Sequence, residues 1–407
     1  MRADIHDGQE HNVPFKGRIQ KRKTYHLQIV TFGLQRAAGP YRRAITGPYA
    51  AIALSTRRCT LATMTIGFRP SMNLRPFLLI IALGSVPTSL AADYKPEFKM
   101  SLVVNQETSW GQAAVRFADV VRHRTQGRIQ IKNYFGGRLF AGQQTAEFAL
   151  LQQGVVDFAI NSTINWSPQV KELNLFALPF MFPSYNSLDA VQAGDPGRQL
   201  FNVIEQKGVI PIAWGESGFR ELTNSKRSVR RPDDLSGLTI RIPPAPIFAD
   251  TFKAFGANSV SMNFDQALVA FEKGIVDGQE NPISLIIPYK LWAVHNYITL
   301  WRYSINPLIL AVSAKTWTTL SPEDRNVVRQ AGSLVMELQK EEARDAPSKA
   351  AKMIELLRDM YGMEVLQPSR VELDVFRRQT RSVHTKWVEE IGRTLVTRVE
   401  TIVESGN

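Results

Sequence analysis

The chain has a single cysteine, Cys59, among 407 residues. A disulfide framework and a cysteine-built metal site are excluded, and nothing after residue 59 can supply a thiolate. Histidine is nearly as scarce: three of the six fall before residue 72, and His123, His295 and His384 stand far apart in the remainder. Their isolation assigns them structural or surface roles, and neither a metal nor a cofactor is expected. No His-Glu-x-x-His, Gly-x-Ser-x-Gly, Walker loop or Gly-x-Gly-x-x-Gly occurs, which removes the spacings that place a zinc ion, an activated serine or a nucleotide phosphate. Long apolar runs are also missing, since a membrane-spanning helix needs about 20 such residues. The formal charge of +12 is concentrated in residues 1–71, where twelve Lys and Arg face three acids, so only +3 remains from Met72 onward. A nucleic-acid partner has no electrostatic basis in so neutral a chain. What is present, 44% hydrophobic and 21% charged residues, is the composition of globular domains with sizeable cores.

Residues 72–91 read as a cleaved secretory signal peptide. Arg75 gives a short positive start, Phe77 to Leu83 an apolar stretch of seven, and Ser89-Leu90-Ala91 the small residues of a cleavage site after Ala91. Gly84 and Pro87 interrupt the run too early for a membrane anchor. Residues 1–71 show no sustained hydrophobic period and are read as an extension from a mis-assigned start, with translation beginning at Met72. Arg57-Arg58 and Cys59 make neither a twin-arginine signal nor a lipobox, because small apolar residues do not precede the cysteine and only a weak apolar stretch follows. Cleavage leaves 316 residues, Ala92 to Asn407, without cysteine. An export signal without thiols points to a Gram-negative periplasm.

From Phe98 to Val104 the chain is β-prone, and apolar Ala114, Phe117, Ala118 and Val121 then trace one face of a helix over Ser109 to Arg122. A strand through Ile129, Ile131 and Tyr134, a helix ending at Gly154 and a strand from Val155 to Ile160 follow. This alternation predicts a doubly wound α/β sheet. The punctuation returns 120 residues later: Leu151-Gln-Gln-Gly154-Val-Val156-Asp157 matches Phe271-Glu-Lys-Gly274-Ile-Val276-Asp277, with Asn161 and Asn281 four residues beyond each Asp. The match suggests two similar lobes whose strands present polar residues at their carboxyl ends, where open sheets bind ligands. Further on, Leu308 to Val312 reads as a strand, and Ser321-Pro322-Glu323-Asp324 as the start of a long helix with apolar Val327, Val328, Ala331, Leu334, Val335 and Leu338 at helical spacing. Helix is also expected over Lys349 to Met360 and Val383 to Val403.

An arginine stands in a defined place. In Gly237-Leu-Thr-Ile-Arg241-Ile-Pro243-Pro244 it ends a short β-prone run just before a double proline. A guanidinium is a rigid fork matched to a carboxylate, so Arg241 is a candidate anchor for an organic acid. Position alone leaves a structural salt bridge equally open.

Four segments together resemble a known family: Leu178-Pro-Phe-Met-Phe182, Gly218-Phe-Arg-Glu-Leu-Thr-Asn-Ser225, Gly237-Leu-Thr-Ile-Arg-Ile-Pro243 and Val276-Asp-Gly-Gln-Glu-Asn-Pro282. In this order and spacing the chain is similar, from about Phe98 to its end, to the DctP-type solute-binding proteins of tripartite ATP-independent periplasmic (TRAP) transporters. The resemblance implies a two-lobed periplasmic binding fold, type II-like, with crossing strands and a long helix linking the lobes. The lobes are expected at 92–217 plus about 307–346, and at 218–306 plus about 347–407. It implies that Arg241 clamps a carboxylate with Arg220 nearby, that Asn281 faces the cleft, and that Phe264 forms an aromatic wall, with helix capping by Asn281 and core packing of Phe264 as competing readings. Asn161, Ser162, Asn165 and Trp166 are expected on the facing wall, where sialic-acid-binding members carry charged residues. Tyr303 stands where a histidine is often found.

The implied function is a periplasmic receptor, not an enzyme, that delivers a small organic acid to the small and large TRAP permease subunits. The same design serving an ATP-driven importer or a sensor is the alternative, and an exported enzyme a third reading. A monomer with no nucleic-acid partner is expected. Because the facing residues are uncharged, a monocarboxylate with an apolar, aromatic or hydroxylated tail is expected to bind better than succinate, malate or fumarate. Arg116, Arg122, Arg124 and Arg138 are expected on solvated surfaces.

Overall fold

The computed structural model describes residues 94–344 and 347–405. The expected extension, signal peptide and Cys59 lie outside the described residues. Among the described residues nine strands form one sheet: β1 Phe98–Ser101, β2 Ile131–Tyr134, β3 Phe158–Ser162, β4 Val209–Asn224, β5 Thr239–Ile242, β6 Asn258–Ser261, β7 Gly278–Pro282, β8 Tyr297–Ser313 and β9 Glu364–Leu366. Their order is β2-β1-β3-β8-β4-β7-β5-β6, with β9 added beside β8. Two parallel groups, β2-β1-β3 and β7-β5-β6, thus flank a central antiparallel pair.

The central pair connects the groups. β4 and β8, of 16 and 17 residues, pair along most of their length. β3 pairs only with the carboxyl end of β8, from Ser162–Leu308 to Phe158–Val312. β7 pairs only with the carboxyl end of β4, from Arg220–Pro282 to Asn224–Gly278. Each long strand therefore starts beside one group and ends beside the other. Register shifts at Pro211/Ala213 and Glu216/Phe219 interrupt the ladder, and Pro211, which lacks an N–H, is tolerated in a central strand at such a shift.

The helix Pro322–Ala343 lies along β4 and the helix Ser109–Arg124. It starts where expected: the Ser321 hydroxyl accepts from Asp324 N at 3.1 Å, with Pro322 in the first turn. Gln339 near its other end accepts from Glu216 N at 2.9 Å and donates to Glu216 O at 2.6 Å, stitching the helix to the point where β4 changes neighbours. Phe98, Phe117 and Phe158 pack edge-to-face in the core under the first group. Phe252, Phe255, Trp301 and Phe376 form a second aromatic cluster.

The repeat read from the sequence is a real structural correspondence. Gly154 and Gly274 end their helices at φ of 72° and 62°, a left-handed turn that glycine adopts freely. Asp157 then accepts from Lys99 N at 2.7 Å, and Asp277 from Thr239 N at 2.8 Å, each tying its strand to the parallel neighbour. Several expected boundaries move. β1 ends at Ser101, not Val104, and β3 runs over Phe158–Ser162 rather than Val155–Ile160. The expected helix at Lys349–Met360 is Pro347–Glu355 followed by a π-helical turn to Met360. Gly392, at φ 118°, divides the last expected helix into Arg381–Ile391 and Arg393–Ser405.

Candidate ligand-binding site

The carboxyl ends of β3, β5 and β7 converge on a small cavity of about 30 Å³. Six of the eight expected site residues line it: Ser162, Asn165, Arg220, Arg241, Phe264 and Asn281. Ser162 and Asn281 reach it from the ends of β3 and β7, Arg241 from β5, and Arg220 from β4 just past a register shift. Its lining contains no other Lys or Arg. Arg116 pairs with Glu342 and Arg122 with Asp119, Arg124 contacts Gln330, and Arg138 is exposed, all away from the cavity.

The two arginines differ in electrostatic state. Arg220 is engaged by Glu280 through a bidentate pair in which Nη2 is 2.7 Å from Oε1, and it also donates to Glu280 O at 2.7 Å and Asn281 Oδ1 at 3.2 Å. The Tyr303 hydroxyl donates to the same carboxylate at 2.7 Å. Burial pulls the Arg220 pKa down, but the attraction and hydrogen bonds of Glu280 outweigh it and hold it above the usual value. Arg241 is only 1% exposed and makes no ion pair among the described residues; Nε and Nη2 donate to Met262 O at 3.0 and 2.6 Å. Its guanidinium sits 5.7 Å from the Phe264 ring centroid. Burial pushes its pKa down to about 9; Glu280 opposes this and Arg220 adds to it. At neutral pH Arg241 remains a buried cation facing a cavity without a carboxylate partner. The salt-bridge reading is overturned for Arg241 and describes Arg220 instead.

Asn281 does not cap a helix, because β7 continues through Pro282, and Pro282 itself precedes the short helix Ile283–Ile286. Its amide instead donates to Gln279 Oε1 at 2.6 Å and accepts from Arg220. Phe264 opens the helix Phe264–Glu272 and packs edge-on against Tyr289. Its N–H donates to Gln144 Oε1 at 2.8 Å, a bond between the segment joining β2 to β3 and the segment joining β6 to β7.

Asn161 and Trp166, by contrast, do not line the cavity. Asn161 Oδ1 accepts from Ser162 N and Asn165 Nδ2, both at 2.7 Å, while its Nδ2 donates to Glu147. The Trp166 indole donates to the same Glu147 oxygen at 3.3 Å and packs edge-to-face on Phe148. Both support the wall from behind. Burial raises the Glu147 carboxyl to about 7, against the hydrogen bonds of Asn161 and Trp166 to its Oε2, while its Oε1 has no partner among the described residues.

Sequence reading missed Gln144, Trp110 and Asn306, which line the same cavity. Trp110 is 2% exposed, and its indole nitrogen has no acceptor. Asn306 Oδ1 accepts from the Ser162 hydroxyl. The only sequence signal for Asn306 was its place beside Pro307 at a strand irregularity. Among the described residues there is no cluster of three metal-ligating side chains, and no helix is long and apolar enough to cross a membrane.

A sheet whose two parallel groups share crossing strands, with a buried cationic cavity at the strand ends, defines a two-lobed α/β solute-binding receptor. The chain belongs to the DctP family, bacterial extracellular solute-binding protein family 7, whose model matches residues 100–390. The family binds solutes and is not one of enzymes. A solute-binding protein of Roseobacter denitrificans is 31% identical over 264 residues, covering 64% of this chain and 79% of the relative. A TRAP periplasmic solute-binding protein from Ralstonia eutropha H16, solved with bound (S)-2-hydroxy-2-methyl-3-oxobutanoate, (S)-2-acetolactate, superposes with a TM-score of 0.74 at 42% identity, over 77% of this chain and 100% of that one. The sugar-acid-binding DctPAm of Advenella mimigardefordensis, in complex with galactonate, gives 0.72 at 26% identity, over 76% and 98%.

Proposed function

We propose that this chain is a periplasmic receptor for a short monocarboxylate carrying a keto or hydroxyl oxygen beside the carboxylate, of the 2-acetolactate class, and that it delivers this acid to the two membrane subunits of a TRAP permease. The observation that carries the reading is Arg241: a buried guanidinium with no carboxylate partner, on a cavity wall. Leaving a charge buried and unpaired is unfavourable, and a ligand carboxylate relieves it. The other walls bear Ser162, Asn165, Gln144, Asn306 and Trp110, all uncharged, so a second carboxylate would lie buried without a cation. The ligand of the Ralstonia protein has one carboxylate flanked by a hydroxyl and a keto oxygen, which agrees with this polarity.

In this reading the first lobe comprises residues 92–217 plus about 307–346, the second 218–306 plus about 347–407, and residues 72–91 are the export signal. The ligand lies between the lobes, which close on it. Calorimetric titration of the chain from Ala92 onward tests the ligand class. Acetolactate is expected to bind at least tenfold more tightly than succinate or malate; a four-carbon dicarboxylate that outbinds every monocarboxylate would overturn the proposal.

A further inference from the structure

The cavity's side-chain amides are all oriented the same way, and hydrogen-bond logic gives the reason. The Phe264 N–H can only donate, so it fixes Gln144 Oε1 as its acceptor at 2.8 Å. Gln144 Nε2 must then donate, and it meets Asn165 Oδ1 at 2.6 Å. Asn165 Nδ2 in turn donates to Asn161 Oδ1 at 2.7 Å, an oxygen also held by the Ser162 N–H. The chain ends on Glu147, which takes the Asn161 amide. On the opposite wall Arg220 fixes Asn281 Oδ1 as an acceptor, and beside Asn165 the Ser162 hydroxyl meets Asn306 Oδ1. Every amide oxygen of these four lining residues is thereby engaged by protein, while each NH₂ keeps a hydrogen. With the free indole N–H of Trp110, the amide hydrogens make the cavity richer in donors than in acceptors, since each amide oxygen has one of its two lone pairs already engaged.

We infer that Glu147, which does not touch the cavity, is the positioning residue that holds this donor face, and so selects ligands whose oxygens accept hydrogen bonds beside the carboxylate. The bond from Gln144 to Phe264 joins two separate segments and is broken whenever they part. The orientation of Gln144 and Asn165 then depends on Asn161 alone, and Asn161 is kept in place by Glu147 at one end and the Ser162 N–H at the other. Without an acceptor at position 147 the Asn161 amide is buried and unpaired, and because turning over would set its NH₂ against the Ser162 N–H, the side chain is driven out of place instead. Asn165 then loses its partner and presents its oxygen to the ligand. Complete burial of Glu147, next to the Trp166 indole and the Ser101 hydroxyl and without a cation, agrees with a carboxyl retained for its acceptor geometry rather than for an ion pair.

This inference rests on the acetolactate-class reading, and its test separates the two. Acetolactate and 2-methylbutanoate share a carbon skeleton and a carboxylate, and the second lacks both further oxygens. The wild-type protein is expected to prefer acetolactate by about tenfold or more, a few hydrogen bonds' worth. Glu147→Met should reduce that preference toward unity, and Glu147→Gln, which keeps an acceptor oxygen, should restore most of it. A purely structural role would weaken both acids alike and leave the ratio unchanged; an unchanged ratio in Glu147→Met overturns the inference while the ligand reading stands. A wild-type protein that binds neither acid overturns the ligand reading, and amide NMR then decides the other without ligand. The side-chain amide resonances of Asn165 and Gln144 should shift in Glu147→Met and return toward wild type in Glu147→Gln. Resonances that do not move refute the positioning role whatever the ligand.

Discussion

Arg220 and Arg241 are both buried arginines on one cavity, yet opposite results are expected from removing them. Arg220→Met leaves Glu280 buried with only Tyr303 for company, and breaking such a pair destabilises folding by about 3 to 5 kcal/mol. Arg241→Met removes a cation that has no counterion in the unliganded protein. Its melting temperature should stay the same or rise, while affinity for the acid falls more than a hundredfold, the scale of two charged hydrogen bonds at about 1.5 to 3 kcal/mol each. Arg241→Lys should lose nearly as much, because a point charge cannot hold Met262 O and a carboxylate together. Thermal unfolding and calorimetry on the same three variants check this. An Arg241→Met protein that binds normally, or that melts as low as Arg220→Met, would move the anchor elsewhere.

The crossing strands carry a second consequence, for pH. Glu216 lies where β4 passes between its neighbours; its Oε1 accepts from Gly218 N at 2.7 Å and its Oε2 has no partner. Burial raises its carboxyl to about 7, against the Gly218 and Ser217 amides and the charges of Arg344 and Lys340. The folded chain holds this proton where the unfolded chain, near 4.5, has released it, so stability from this group is full at low pH and is lost as pH rises through 7. Glu147 acts with the same sign. His295, buried with Nδ1 on the Thr223 hydroxyl and lowered to about 4, acts oppositely: the unfolded chain takes up a proton below about 6.5, and stability falls on the acid side. Above pH 6.5 the carboxyls alone remain. Denaturant unfolding should show stability declining from pH 6.5 to 8, with Glu216→Gln flattening the decline by about 1 kcal/mol. Parallel curves for wild type and variant would contradict the assignment.

At the scale of the whole molecule, two bonds hold the walls of the cleft together without touching the cavity's arginines: Gln144 Oε1 with Phe264 N, and Asn105 N donating to the Tyr289 hydroxyl at 2.8 Å. If the lobes close on ligand, these bonds belong to the closed state. Tyr289→Phe keeps the ring against Phe264 and removes only the hydroxyl, so affinity should fall by about 2- to 13-fold, one hydrogen bond of about 0.5 to 1.5 kcal/mol. Small-angle scattering should show the wild type contracting with saturating ligand, and the variant needing more ligand for the same contraction. Equal ligand dependence in both proteins would place the closing contacts elsewhere.

The features legible in the residue order were those governed by local physics. The glycine-terminated helices, the Ser321 cap, the repeated Gly–Asp punctuation and an arginine before a proline break each depend on a few neighbouring residues, and each stands in the structure. The family segments added the crossing strands. The inward-facing side chains were less legible. All five residues of β3 are buried, because both its faces are covered, so no alternation told Ser162, which lines the cavity, from Asn161, which does not. Glu147, an acid in a helix's first turn, reads as a solvated charge until three distant segments bury it. Gln144, Trp110 and Asn306 come from a loop, a helix and a strand far apart in the chain and meet only at the cavity. Whether Arg241 had a partner was likewise open in the sequence, since an ion pair depends on which side chains folding brings within about 4 Å. Short-range backbone preferences are written in the chain itself, whereas burial and pairing of charge belong to contacts such as that of Arg220 with Glu280, between residues that only the fold brings together.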